Sequence, residues 1–188
     1  MHVPVGRLTA EDLHDLATAA STYGDGELRL TEDQNLILAN IKQEHLDNLK
    51  KDPLLKRFPS DPGTVASGTV SCTGSAYCSF AMVNTKDRAR TIAEELDQEL
   101  HLPEEVKIHW TGCPNTCGQA FMGAIGLTGK KAKNSEGVTG EGFQITVGGS
   151  QGPDPSVGDI YMKTVPAEEV KSVIKDLLIE QFGATSKR

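Results

Sequence analysis

All four cysteines of this chain fall into two short pairs, Cys72-Thr-Gly-Ser-Ala-Tyr-Cys78 and Cys113-Pro-Asn-Thr-Cys117, with thirty-four residues between them. A site that uses all four requires a fold that carries two distant segments to one place. Three chemistries could ask for that. Disulfides are the first, but four cysteines in 188 residues lie far below the roughly 8–10% of a disulfide scaffold. The opening Met1-His-Val-Pro-Val-Gly6 has neither a charged-then-apolar signal segment nor an Arg/Ser-rich transit segment, so an intracellular chain is expected, where bridges are rarely kept. Structural zinc is the second, yet its ligand pairs are usually spaced by two to four residues and the first pair here is wider. An iron–sulfur cubane is the third. Its corners lie farther apart than donors around one ion, so short knuckles are not required. Gly74, Gly112 and Gly118 would let backbone N–H groups approach the sulfurs, and Pro114 fixes φ inside the second pair. Spacing alone favours the cubane without closing the other two readings.

The rest of the chain is α+β. Thr9 and Asp12 predict a capped helix with Leu13, Leu16, Ala17 and Ala20 on its apolar face, ending near Gly24 and Gly26. Strands are predicted at 27–31 and 36–41, with a polar turn between them, then a helix over 43–51 that stops before Pro53. Pro59, Pro62, Gly63 and Gly68 mark 58–68 as a connection, which predicts a first unit over 1–62 and a second over 63–188. In the second, a helix is expected over 85–100 with Ala89, Ile92, Ala93, Leu96 and Leu100 on one face. Strands are expected at 106–110, 125–127, 143–147 and 160–162, a polar loop over 130–142, and a closing helix over 167–182 burying Val170, Val173, Ile174, Leu177, Leu178 and Phe182.

Composition excludes several partners. The net charge of −7 argues against nucleic acid, which selects basic patches. No stretch approaches the ~18 apolar residues of a membrane span. Neither a Ser/His/Asp arrangement nor a phosphate-cradling Gly-x-x-x-x-Gly-Lys loop is present. Lys130, Lys131 and Lys133 read as a solvated loop, and Trp110 and His109 as packed side chains.

Around the cysteines the sequence resembles the sirohaem nitrite and sulfite reductases. His109-Trp-Thr-Gly-Cys-Pro-Asn-Thr-Cys-Gly-Gln119 and Cys72–Cys78 carry the likeness, which continues at Val3–Leu8, Arg29–Leu38, Gly148-Gly149, Gly158–Tyr161 and Gln181–Ala184. Thr73-Gly74 and Cys117-Gly-Gln119 are more similar to the ferredoxin-dependent nitrite reductases than to the sulfite enzymes. The resemblance implies a ferredoxin-like half domain followed by a mixed α/β domain for sirohaem and iron–sulfur. It implies Cys72, Cys78, Cys113 and Cys117 as ligands of a 4Fe–4S cluster, with Cys117 also bridging to the sirohaem iron. Gln34 and Asn35 match a motif facing the macrocycle, although by themselves they read as a turn. Asn115, between the bridging cysteines, could reach either cofactor.

The implied reaction is the six-electron reduction of nitrite to ammonia by reduced ferredoxin, in a bacterial cytoplasm or plastid stroma. A sulfite reductase and a non-catalytic iron–sulfur electron carrier are the competing readings. The chain matches the C-terminal half of the family, which implies that the catalytic Arg and Lys residues belong to a preceding homologous half. No catalytic residue is identified here. The negative charge would slow an acidic ferredoxin, so its docking surface is expected mainly on that other half. Two departures stand out. Ser150 occupies a position where relatives commonly carry Arg, and Ala120–Ala124 differs from the usual Val-x-Val-Ala-Asp.

Overall fold

Thr9 opens the first long helix, α1 (Ala10–Tyr23), by a reciprocal cap in the computed structural model, which describes residues 1–187. The Thr9 N–H donates to Asp12 Oδ2 at 2.9 Å and the Asp12 N–H donates to Thr9 Oγ1 at 3.1 Å, a device worth about 1 kcal/mol. The face that α1 buries is Leu16, Ala19 and Ala20. Leu13 is 49% exposed and Ala17 is also exposed, so the apolar stripe is rotated from the one predicted. β1 (Leu28–Leu30) and β2 (Leu36–Leu38) then form an antiparallel hairpin. A 3-10 turn (Gln43–His45) runs into α2 (Leu46–Lys51), and α3 (Leu54–Arg57) follows Pro53. Val3, Leu16, Ala19, Leu36, Leu54 and Phe58 make the core of this unit, Met1–Pro62. Phe58 was expected in a connection; at 4% exposure it belongs to the core.

The second unit begins at Gly63 with α4 (Thr64–Ser67) and β3 (Thr69–Ser71). It continues through α5 (Lys86–Glu99), β4 (Leu100–His101), β5 (Ile108–Thr111), β6 (Ile125–Lys133), β7 (Thr139–Val147), β8 (Asp159–Pro166), α6 (Val170–Phe182) and β9 (Thr185–Ser186). Five strands form one mixed sheet in the order β3-β5-β6-β7-β8. β3, β5 and β6 run parallel, and β6, β7 and β8 are antiparallel. Trp110 and Phe143, both buried, meet edge-to-face at 5.3 Å, a contact worth about 1 kcal/mol beyond burial. Ion pairs from Lys171 to Glu95 and Glu99, and from Lys175 to Glu99, tie α6 to α5.

The segment expected as a polar loop is a hairpin instead. Residues 130–133 pair with 139–142, with Lys131 opposite Glu141 and Ala132 opposite Gly140. Cross-strand pairing outweighs the weak strand propensity of lysine and glycine here, and the Glu141 carboxylate is held by Arg88 at 2.8 Å and the Asn84 N–H at 2.9 Å. In α6 the buried residues are Val170, Ile174, Leu177 and Leu178, while Val173 and Phe182 are half-buried.

One topological fact positions the site. Parallel neighbours cannot be joined by a tight turn and need a crossover of a dozen or more residues. The β3-to-β5 crossover starts with the first cysteine pair, and the β5-to-β6 crossover starts with the second. Both pairs therefore leave the carboxyl ends of adjacent parallel strands, where open α/β sheets place their ligands.

Candidate metal centre

Cys72 directly follows β3 and remains tied to β5, its N–H donating to the Trp110 carbonyl at 2.9 Å. The chain then turns at Gly74, whose φ of +67° suits glycine. The Cys78 N–H closes this turn on the Gly74 carbonyl at 3.0 Å, and the Ser75 N–H reaches the Val83 carbonyl at 3.0 Å. Gly112 follows β5 and meets the first loop from the other side. Its N–H donates to Cys72 Sγ at 3.1 Å, and its carbonyl accepts the Met82 N–H at 2.8 Å. A Cβ at Gly112 would lie 2.8 Å from Ala81 Cβ and 3.5 Å from Cys72 Sγ, so only glycine allows this approach. The two cysteine loops are thus joined at Gly112.

The second pair is shaped by consecutive turns. The Thr116 N–H donates to the Cys113 carbonyl at 3.3 Å and the Gln119 N–H to the Thr116 carbonyl at 2.7 Å. Thr116 and Gln119 have φ of 53° and 54°. Gly118 presses on β5: a Cβ there would lie 2.1 Å from the Trp110 carbonyl oxygen. Its N–H, expected to face the sulfurs, donates to Thr111 Oγ1 at 2.8 Å, and its carbonyl sits 3.0 Å from His109 Nδ1. His109 is therefore a buried partner of the loop backbone. Gly149 packs the loop after β7 against this region, since a Cβ would lie 2.4 Å from the Gly123 carbonyl oxygen. Ser150 is engaged locally with Ser156, Oγ to Oγ 3.0 Å.

All four cysteines are free thiols: Cys113 is buried, Cys72 and Cys78 are intermediate and Cys117 is exposed. Among the described residues, no three His, Cys, Asp or Glu side chains are grouped to hold a single metal ion. The thiols sit at one end of the sheet without being drawn to a point. Four thiols on two joined loops, with an N–H aimed at one sulfur and a glycine cradle, form a donor set that fits a 4Fe–4S cluster.

The remaining candidates are placed as follows. Asn115 is exposed at the turn between Cys113 and Cys117. Gln34 and Asn35 lie in the β1–β2 turn of the first unit, Gln34 with φ of 62°. The Asn35 amide oxygen accepts the Val3 N–H at 2.9 Å, and its own N–H donates to Thr31 Oγ1 at 3.0 Å. Asn35 therefore has a structural task within its turn, with its amide nitrogen left as the donor it could offer. Thr85 carries no signal in the sequence beyond opening the 85–100 helix; its hydroxyl donates to the Cys72 carbonyl at 2.7 Å.

The chain is similar to known proteins over nearly its whole length. Residues 1–55 match the nitrite/sulfite reductase ferredoxin-like half domain, and residues 64–184 match the nitrite and sulphite reductase 4Fe-4S domain. A ferredoxin–nitrite reductase of Synechococcus elongatus is 51% identical across all of this chain, which covers 36% of that protein. The chloroplastic enzyme of Spinacia oleracea is 43% identical, with 100% and 32% covered. An assimilatory ferredoxin-dependent nitrite reductase of Haloferax mediterranei is 40% identical, with 98% and 32% covered. The solved structure of Mycobacterium tuberculosis NirA superposes with a TM-score of 0.85 at 25% identity, over 95% of this chain and 34% of that one. The chain spans about a third of the length of these relatives. It belongs to the nitrite and sulfite reductase family, with a ferredoxin-like half domain followed by a 4Fe-4S domain.

Proposed function

We propose that the chain is the C-terminal, cluster-bearing part of an assimilatory ferredoxin–nitrite reductase, which reduces nitrite to ammonia with six electrons from reduced ferredoxin. The observation that carries this reading is the junction at Gly112, which joins two cysteine loops at the carboxyl ends of β3 and β5. Cys72, Cys78, Cys113 and Cys117 would hold the 4Fe–4S cluster, with Cys117 shared with the sirohaem iron. When bound, these cofactors supply single-electron transfer and the iron at which the anion is reduced.

The chain's own residues position that chemistry. Gly112 donates a hydrogen bond to the Cys72 sulfur, which favours added negative charge there. Exposure of Cys117, against burial of Cys113, suits a thiolate shared with a second group. Gln34, Asn35 and Asn115 would be the amide donors available to sirohaem carboxylates. The groups that bind nitrite, and most of the ferredoxin surface, are assigned to the remainder of the enzyme. Placement in a bacterial cytoplasm or plastid stroma is supported by the cyanobacterial and chloroplastic relatives. Among the described residues no helix is long and apolar enough to cross a membrane.

The test is an assay with a chemical electron donor on the full-length protein and on this chain alone. The full-length protein is expected to reduce nitrite in preference to sulfite, to lose activity in Cys117→Ser, and to exceed the isolated chain by orders of magnitude. Preference for sulfite would overturn the nitrite assignment. Nitrite turnover by the isolated chain at full rate would overturn the partial-enzyme assignment.

A further inference from the structure

Thr85 precedes α5 at the position where a threonine ordinarily caps a helix through its side chain. It makes no such bond. The neighbouring Asn84 takes that task, its Oδ1 accepting the Asp87 N–H at 3.3 Å. The Thr85 hydroxyl donates instead to the Cys72 carbonyl at 2.7 Å, and its oxygen lies 3.8 Å from Cys72 Sγ. Thr85 is fully buried, at 0% exposure. The first cysteine loop bends around it: a Cβ at Gly74 would lie 2.4 Å from Thr85 Oγ1 and 2.7 Å from Thr85 N.

Resting on the cluster-bearing reading above, we propose that Thr85 is a positioning residue that locks the Cys72 ligand and lowers the reduction potential of the cluster it would hold. Two effects follow from one hydroxyl. The bond to the Cys72 carbonyl fixes the peptide that follows Cys72, and with it the direction of the Cα–Cβ bond. With its proton committed to that carbonyl, the hydroxyl also presents its oxygen, the negative end of its dipole, to the Cys72 sulfur at 3.8 Å. A negative dipole end beside a ligand sulfur disfavours the reduced, more negative state, so its removal raises the potential. α5 thereby couples to the centre through its first residues, although none of them binds metal.

Thr85→Val keeps the shape and deletes the hydroxyl, whereas Thr85→Ser keeps the hydroxyl. In the metal-free chain, alkylation by iodoacetamide is followed at each cysteine by mass spectrometry. Thr85→Val is expected to speed Cys72 several-fold, as loss of one neutral hydrogen bond closing a loop would, with Cys117 unchanged. After anaerobic reconstitution with iron and sulfide, its midpoint potential is expected above that of the unsubstituted protein. Thr85→Ser should match the unsubstituted protein in both measurements. Equal Cys72 rates and equal potentials in the Val variant would overturn the proposal, as would a rate increase at all four cysteines, which marks general unfolding. If the unsubstituted chain assembles no four-iron cluster, the cluster-bearing reading and the tuning of potential fall together. The Cys72 rates then decide the locking alone.

Discussion

The two cysteine loops reach one end of the sheet by different physical means. The first, residues 72–84, is held by bonds to neighbours: Trp110 and Gly112 on one side, Thr85 on the other. Its left-handed residue is Gly74, which adopts φ of +67° without a side-chain penalty. The second, residues 112–124, closes on its own turns and puts positive φ on Thr116 and Gln119. Each left-handed non-glycine residue costs about 1–2 kcal/mol, and a β-branched threonine is the more strained of the two. One loop is thus fixed by its surroundings, and the other carries strain in its backbone. The strained loop presents the exposed Cys117, the thiolate proposed to serve two metals, and strain of this kind collects where surrounding structure holds a functional conformation.

The largest expected effect comes from breaking the second loop's seat on β5. Gly118→Ala places a Cβ 2.1 Å from the Trp110 carbonyl oxygen and 2.7 Å from Thr111 Oγ1. Denaturant unfolding should show a loss of about 3 kcal/mol, and iron uptake should fail; unchanged stability would refute that close seat. Gly74→Ala strikes the first loop, combining a disfavoured φ with contact on the Thr85 backbone. A loss of about 2 kcal/mol is expected, with Cys72 and Cys78 alkylating faster and Cys117 unaffected. A uniform increase at all sites would erase the distinction between the loops. Thr116→Gly should act in the opposite sense and stabilise the unit by less than about 1 kcal/mol, because relief of strain exceeds the added chain entropy. Destabilisation would show that the second loop is not strained.

The smallest effect serves as a control distant in sequence from both loops. Hydrogen bonds from Lys171 and Lys175 lower the Glu99 pKa from 4.5 to about 2. A depressed carboxylate pKa contributes stability above its unfolded value and loses it as pH falls through the folded one. Glu99→Gln should therefore be slightly less stable than the unsubstituted chain above pH 4.5, with the difference fading towards pH 2 and all four thiol rates unchanged. A difference that persists undiminished to pH 2 would contradict the assignment of that pKa to these ion pairs.

Much of this was legible in the sequence because it is local. The Thr9/Asp12 cap and the apolar stripe of α5, Ala89, Ile92, Ala93 and Leu96, are written in neighbouring residues. The cysteine spacing, with the motifs around it, indicated the kind of centre. What escaped notice is non-local. β3 is three residues, Thr-Val-Ser, at one edge of the sheet and all buried; a strand covered on both faces shows no alternation, and this one is polar as well. Strands at 125–127 and 143–147 were legible, but their extension through 130–142 is stabilised by pairing that neither segment announces alone. Thr85 was legible only as the start of a helix, and the fold alone shows its hydroxyl turned to Cys72. Gly118 was expected to serve the sulfurs, whereas its N–H is spent on Thr111.

The most direct test of the central claim is anaerobic reconstitution of the purified chain with ferrous iron and sulfide, followed by iron and sulfide analysis and electron paramagnetic resonance after reduction. Four irons and four sulfides per chain are predicted, with the signal lost in Cys→Ser variants of both loops, Cys72 and Cys113 alike. Stoichiometric zinc with no iron–sulfur signal, or a four-iron cluster that survives loss of either pair, would contradict the account.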